Sequence, residues 1–297
     1  MVVLVTGANG QLGQSLQFIA SNYPAIQFVF CAASDLDITN KQNCQAVFSK
    51  YKPNYCINTA AYTAVDKAES EPEKAKLINV IGAKNLAEVC KEFSVKLLHV
   101  STDFVFDGNS TNPYTEKDIP NPTGVYGQTK LDGEKAIQET FDNYFIIRTS
   151  WVYSQFGNNF MKTMLRLASE RDTISVVNDQ IGTPTNAVDL AEVLMKIICH
   201  PELVEGQHPT SNNFGIYNFS NEGQCSWYDF AKKIFEIHKI KINLLPIPTA
   251  SYPTPAKRPK YSVLDKSKIT NAFGVNVTNW EERLKTVNFS IIIEKKP

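Results

Sequence analysis

The first thirteen residues constrain the fold more than any other stretch. An apolar run, "VVLVT" (2–6), leads into "GANGQLG" (7–13) and then into an amphipathic segment. The run reads as a buried strand, and residues 11–22 read as a helix. Gly7, Gly10 and Gly13 lie between strand and helix. Glycines there permit a tight turn and let the backbone approach a pyrophosphate. The helix start adds free N–H groups and the positive end of the helix dipole. Glycine spacing alone is weak evidence, because turns are rich in glycine. At the first strand–helix junction of a βαβ chain it predicts dinucleotide binding.

The following residues supply that context. Strands are expected at 28–33, 55–60, 96–102 and 144–150. Helices are expected from Thr39 to Tyr51, over 72–93 with Pro72 near the first turn, and over 127–141. Nearly continuous apolar strands alternating with helices indicate a parallel sheet covered on both faces. The fold class is α/β: a Rossmann-like doubly wound parallel sheet over residues 1–150, then a smaller C-terminal α/β domain over 151–297. In the second half, helices are expected at 158–170, 186–199 and 226–238, and short strands at 174–177 and 216–220. Parts of 158–200 and 216–240 are expected to pack back onto the first domain. Turn-rich stretches intervene, "HPTSNNFG" (208–215) and "PIPTASYPTPAKRP" (246–259), and the tail "EKKP" (294–297) is expected to fray.

Composition narrows the partners. Lys+Arg 30 balance Asp+Glu 30, so no basic field argues for a nucleic acid polymer or an anionic membrane. Apolar runs such as "YFIIRTSWVY" are too short or interrupted to span a bilayer, and the N-terminus lacks the pattern of a secretory signal. The six cysteines form no CxxC or Cys/His cluster, which predicts buried thiols, no metal, and a cytoplasmic location.

"GVYGQTKLDGEK" (124–135) sets Tyr126 and Lys130 four positions apart on one expected helix face. "YDFAK" gives Tyr228 and Lys232 the same separation, so spacing alone decides nothing. Position decides. Tyr126 follows the strand "KLLHVST", whose end presents Ser101, Thr102 and Asp103, and parallel sheets bind ligands beyond the carboxyl ends of their strands. Tyr228 has no such strand before it and reads as packing. Reducing a ketone by hydride leaves negative charge on oxygen, so an acid must supply a proton. A tyrosine of ordinary pKa about 10 shuttles protons poorly near neutrality. A neighbouring ammonium, Lys130, is expected to lower that value, with Thr102 orienting the phenol or the carbonyl. After the second strand, Asp35 and Asp37 are placed to reach an adenosine ribose, or else serve as a turn and a helix cap. No arginine follows to hold a 2′-phosphate, which tilts the charge reading toward NADH.

The GxxGxxG spacing is similar to that of short-chain dehydrogenase/reductases, particularly the extended branch acting on nucleotide sugars. Nearly the whole chain resembles the dTDP-4-dehydrorhamnose reductase family. The resemblance is carried by "TGANGQLG", "NTAAYTAVDKAESEPEKA", "STDFVFDG", "VYGQTKLDGEKA", "RTSWVYSQFGNNFMKTMLRLA", "VVNDQIGTPT" and "YPTPAKRPKYSVLD". It implies reduction of the C4 ketone of a dTDP-4-dehydro sugar by NADPH or NADH, in synthesis of a cell-surface polysaccharide precursor. It implies Thr102, Tyr126 and Lys130 as the catalytic trio. It implies a cofactor site lined by Gly10, Gln11, Leu12, Asp37, Ile38, Ala61, Tyr62 and Thr63, with Tyr126 and Lys130 also touching it. Sugar-nucleotide contacts fall on Thr102, Asp103, Phe104, Trp151, Asn159 and Arg258, with core packing the other reading of Trp151. Phe104 stands where many relatives carry tyrosine, so a hydroxyl is missing.

Some family members dimerise around magnesium through acidic residues. The corresponding positions here are Ser15 and Val188, poor ligands for a hard cation, and Glu192 does not align. Magnesium is therefore not expected to be required, and the chain is expected to be a monomer or weak homodimer. Two further readings share the early motifs. An epimerase or dehydratase would regenerate a tightly bound cofactor each turnover, and Asp103 has the acid that dehydratases need; the later blocks favour the reductase. A non-catalytic relative, like the regulatory subunit of methionine adenosyltransferase, is disfavoured by the joint presence of Thr102, Tyr126 and Lys130.

Overall fold

The computed structural model describes residues 1–200 and 213–287. The apolar runs of the first half form five parallel strands. In chain order these elements are β1 (Val2–Thr6), α1 (Gln11–Ile19), β2 (Gln27–Cys31), α2 (Lys41–Tyr51), β3 (Tyr55–Asn58), the short α3 (Val65–Ala68), α4 (Pro72–Lys76), α5 (Ala83–Glu92), β4 (Lys96–Thr102), α6 (Val125–Thr140) and β5 (Tyr144–Thr149). A sixth strand, Gly215–Asn218, pairs parallel with β5. The sheet order is Gly215–Asn218, β5, β4, β3, β1, β2. The chain builds outward from β1 in one direction through β2 and in the other through β3 to β5. The reversal leaves a crevice beyond the carboxyl ends of β1 and β3, the usual ligand position in such sheets.

Alternation along the strands divides the core into two layers. Val3, Val5, Ile57, Leu98 and Ile147 face one cluster with Leu16 and Ile19 of α1. Leu4, Cys56, Leu97 and Ile146 face the other, with Phe48 of α2, Leu86 of α5 and Ile137 of α6. Each central strand is apolar on both faces because helices cover both faces.

The later helices are α7 (Phe160–Glu170), α8 (Ala187–Cys199), α9 (Trp227–Ile237), α10 (Ser267–Phe273) and α11 (Trp280–Lys285). α8 supplies Leu190, Leu194 and Ile198 to the first layer, and α10 supplies Ile269 and Phe273. α7, α9 and α11 instead surround a separate cluster around Tyr153, Phe230 and Trp280. Strand Asn243–Ile247 runs parallel to Thr173–Val177 beside that cluster. Its Pro246 reads as a turn former in the sequence. An edge strand, with no further partner needing that N–H, accommodates it.

Several boundaries differ from the sequence expectation. The second and third strands end at Cys31 and Asn58, two residues before the expected limits. Asn40, not Thr39, caps α2 by accepting from the Asn43 N–H. Thr39 is engaged elsewhere, donating its N–H and its hydroxyl to Asp37 Oδ1 at 2.9 and 2.7 Å. The single helix expected over 72–93 is interrupted by a π-helical segment, Leu77–Gly82. Such a segment widens the turn and re-aims a side chain. Here it turns Asn79 inward, where the amide accepts from the Tyr62 N–H at 2.9 Å and donates to the Thr129 hydroxyl at 3.1 Å. Gly133 of α6 lets this segment approach, since a Cβ there would meet the Asn79 carbonyl oxygen at 2.2 Å. α6 begins at Val125, two residues before the expected start, which places Tyr126 in its first turn. Most of "HPTSNNFG" and all of the tail 294–297 lie outside the described residues.

Glu134 of α6 and Arg148 of β5 form a buried ion pair at 2.7 Å, with side-chain exposures of 0% and 2%. Ser101 also donates to Glu134, and the Arg148 guanidinium lies 5.1 Å from the centre of the Phe106 ring. This pair fixes α6 against the carboxyl ends of β4 and β5. Removing one partner leaves the other charge buried and unpaired, which costs about 3–5 kcal/mol. Arg148→Met is expected to destabilise the protein by that amount in denaturant unfolding, with a smaller loss when Glu134→Gln is combined with it.

Candidate active site

The loop after β1 has no room for side chains. Gly7 sits at φ +66, where a Cβ would meet the Ala60 nitrogen at 2.8 Å. A Cβ on Gly13 would meet the Gly7 carbonyl oxygen at 2.5 Å. The Gly10 N–H donates to that oxygen at 2.8 Å, and α1 starts directly after Gly10 with no side-chain cap on its first N–H groups. An open helix N-terminus behind a bare backbone loop fits a dinucleotide pyrophosphate. Leu12 points into the core. Gln11 ties the loop to the second half of the chain, donating to the Val152 carbonyl at 3.1 Å and accepting from Asn159 Nδ2 at 2.7 Å.

The remaining residues expected at the cofactor are spread along the carboxyl edge of the sheet. Ile38 is buried against Gly82, and Asp37 is exposed. Tyr62 is buried and donates its hydroxyl to Glu71 at 2.9 Å; Ala61 is partly buried and Thr63 exposed.

β4 ends at Thr102, and a short 3-10 turn, Asp103–Val105, follows. Thr102 donates to Asp103 Oδ1 at 3.1 Å and accepts from the Phe104 N–H at 3.2 Å. The Phe104 ring meets Tyr126 edge-on, with centroids 5.6 Å apart, and the Arg258 guanidinium lies 6.0 Å from its centre. In place of a tyrosine hydroxyl, this position gives an apolar wall to the phenol. Glu69 accepts from the Val125 N–H at 2.9 Å, so a carboxylate caps the helix that carries Tyr126 and Lys130.

Tyr126 is 9% exposed and Lys130 2%. Burial pushes the phenol up to about 12; Thr102 opposes this as a hydrogen-bond partner, and the Asp103 charge adds to it. Burial pulls the lysine down to about 8, against the opposing pull of Glu134. The sequence predicts that Lys130 lowers the tyrosine pKa. In this structure its Nζ lies 2.7 Å from the Val100 carbonyl oxygen and 3.3 Å from His99 Nε2, and desolvation dominates the phenol. Burial also raises the Asp103 carboxyl to about 6, against Ser262 and Thr102 as hydrogen-bond partners.

Thr102, Asp103, Phe104, Tyr126 and Lys130 thus meet at one strand end. The other expected sugar contacts surround them with their own partners. Trp151 holds φ +46, a strained backbone for a tryptophan, and stacks on Trp227 with centroids 3.5 Å apart. Gly182 is required beneath it, since a Cβ would meet the indole at 2.6 Å. Asn159 caps α7 through Lys162 N–H in addition to holding Gln11. Arg258 pairs with Asp66 at 2.7 Å, and the Ala256 N–H donates to the same carboxylate. Tyr228 packs against the second-half cluster, and Lys232 is exposed.

Asn58, Asp66, Glu69, His99 and Trp227 also shape this site and do not stand out in the sequence. Glu69 and Asp66 lie in an acidic, helix-like run, and Trp227 reads as packing beside Tyr228. His99 sits at an alternate position of an apolar strand, where its polarity was the available signal. Among the described residues no group of three or more His, Cys, Asp or Glu side chains is placed to hold a metal ion.

The family described as RmlD substrate binding domain matches residues 1–290. The dTDP-4-dehydrorhamnose reductase of Aggregatibacter actinomycetemcomitans is 44% identical, over 96% of this chain and 97% of the relative. A dTDP-4-dehydrorhamnose reductase structure from Clostridium acetobutylicum superposes with a TM-score of 0.89 at 42% identity, covering 96% of this chain and 97% of that one. The Bacillus anthracis dTDP-4-dehydrorhamnose reductase in complex with NADP gives a TM-score of 0.88 at 42% identity, with the same coverage. The chain belongs to the RmlD substrate binding domain family, whose members here are named dTDP-4-dehydrorhamnose reductases.

Proposed function

We propose that the protein reduces the C4 ketone of dTDP-4-dehydro-β-L-rhamnose to dTDP-β-L-rhamnose, using NADPH or NADH. The observation that carries the reading is the burial of Thr102, Tyr126 and Lys130 about the carboxyl half of β4, in the same parallel sheet whose first strand leads into the bare glycine loop. A reduced nicotinamide, when bound, supplies the hydride. Tyr126 gives its phenolic proton to the carbonyl oxygen as negative charge develops there. A phenol pushed up to about 12 is fully protonated near neutrality, so the donor is loaded before each reduction. Thr102 orients the phenol and the ketone. Lys130, one helical turn on, is the residue that reaches the ribose. Trp151, Asp103, Phe104 and Arg258 form the sugar-nucleotide side of the crevice. Arg258 is held by Asp66, so a phosphate group competes with that carboxylate for the guanidinium.

The test is direct. Protein mixed with dTDP-4-dehydro-β-L-rhamnose and each reduced cofactor is expected to consume the cofactor and yield the 4-hydroxy sugar; no consumption with either rejects the reading. Tyr126→Phe is expected to lose about 100- to 10,000-fold in kcat with cofactor binding retained, while Tyr228→Phe stays near wild type.

The same reading has the enzyme working in the cytoplasm as a monomer or weak homodimer without magnesium. No helix among the described residues is long and apolar enough to cross a membrane. Ser15 and Val188 are both buried in the layer that joins α1 and α8, and neither offers a carboxylate. Full turnover in EDTA and a monomer mass by light scattering are expected; strict magnesium dependence contradicts this.

A further inference from the structure

Lys130 has a partner that the reduction above does not use. Its Nζ lies 3.3 Å from Nε2 of His99, a β4 residue only 1% exposed. The other ring nitrogen, Nδ1, lies 2.9 Å from Asn58 Nδ2. The Asn58 amide has one possible orientation. The Ala60 N–H donates to Asn58 Oδ1 at 3.1 Å, and the Thr6 hydroxyl donates to the same oxygen at 2.6 Å. A backbone N–H facing an amide NH2 would pair donor with donor, so the oxygen must stand there and the NH2 must face the imidazole. Nδ1 is therefore the acceptor, and the neutral ring carries its proton on Nε2, pointed at Lys130.

An ammonium has three donors and no lone pair, so it cannot accept from Nε2–H. A neutral amine can. It accepts from His99 and still donates to the Val100 carbonyl at 2.7 Å. The ring cannot resolve the conflict by taking a second proton, which would set an N–H against the Asn58 NH2. Burial also holds the imidazole well below its usual value.

We propose that His99, locked by Asn58 as the Nε2–H tautomer, is a positioning residue that keeps Lys130 a neutral amine in alkaline solution until the dinucleotide binds, when Lys130 takes up one proton from solvent. The inference rests on the reading of Lys130 as the lysine that meets the cofactor. The proton comes from water or buffer and goes to the Lys130 nitrogen; no other bond changes. The groups facing Lys130 agree with this balance. From α6, Glu134 favours the ammonium, but Arg148 of β5 already engages its carboxylate. Tyr126, also on α6, is an uncharged phenol near neutrality, β3 contributes the uncharged Asn58, β4 contributes His99, and the turn after β4 contributes Asp103. Burial is the largest influence, and it brings the amine down to about 8. Arriving pyrophosphate charge and ribose oxygens then favour the ammonium.

Calorimetric titration of NADPH into the full chain, in buffers of different ionisation enthalpy, counts protons without any turnover. At about pH 9, well above the phosphate's second pKa of about 6, uptake of close to one proton per NADPH is expected, with little at about pH 7. His99→Leu removes the Nε2–H, so a larger share of Lys130 is charged beforehand and uptake is expected to fall by at least half. Asn58→Asp, nearly the same shape, makes the ring donate from Nδ1 and present a lone pair to Lys130, with the same expected loss. Lys130→Met is expected to abolish the uptake. Wild-type protein that binds NADPH without uptake overturns the inference alone, as does undiminished uptake in either the His99 or the Asn58 variant. Protein that binds no NADPH overturns the inference together with the dinucleotide reading.

Discussion

A row of buried polar side chains crosses the carboxyl ends of the central strands, and the candidate site depends on it. Thr6 of β1, Asn58 of β3 and His99 of β4 are each almost fully buried and bonded in sequence. Polar groups in such a place are costly unless every donor finds an acceptor. Satisfying them fixes which atom of each side chain faces which neighbour. The row ends at Lys130, so the protonation of a residue on α6 is tied to the register of strands two positions away in the sheet.

The crevice is bounded on its other side by residues from the second half of the chain, joined by a few polar contacts. Gln11 bonds Val152 and Asn159, and Asp66 holds Arg258. These contacts link the glycine loop and the loop after β3 to the segments bearing the expected sugar contacts. The two sides of the crevice are thereby joined by side-chain contacts. The Trp151–Trp227 stack, over a glycine whose Cβ would meet the indole, gives the second-half side of the crevice an aromatic wall.

Much of this was legible in the sequence, and the exceptions have physical causes. Strand–helix alternation and the three glycines gave the sheet and its crevice, because burial on both faces leaves a continuous apolar run. The position of Tyr126 after a strand ending in Ser101–Thr102 separated it from Tyr228, which spacing alone could not do. The π-helical turn at Leu77–Gly82 was not legible, because it arises from a tertiary demand: Asn79 must reach both Tyr62 and Thr129. The expected lowering of Tyr126 by Lys130 does not hold in this structure, where burial raises the phenol. Helix spacing places two residues on one face, but burial and the Val100 carbonyl decide where the ammonium points and which influence on the phenol is larger. His99 was passed over as an interior strand residue, since its importance lies in partners far away in sequence.

The central claim is that the buried corner at the end of β4 delivers a proton to a C4 oxygen while hydride arrives at the same carbon. NADPH carrying deuterium at the transferable position of its ring, turned over with dTDP-4-dehydro-β-L-rhamnose and this protein, tests that claim most directly. The account predicts a product with one deuterium, bonded to C4, by mass spectrometry and proton NMR. Product without deuterium, or with deuterium at another carbon, contradicts it.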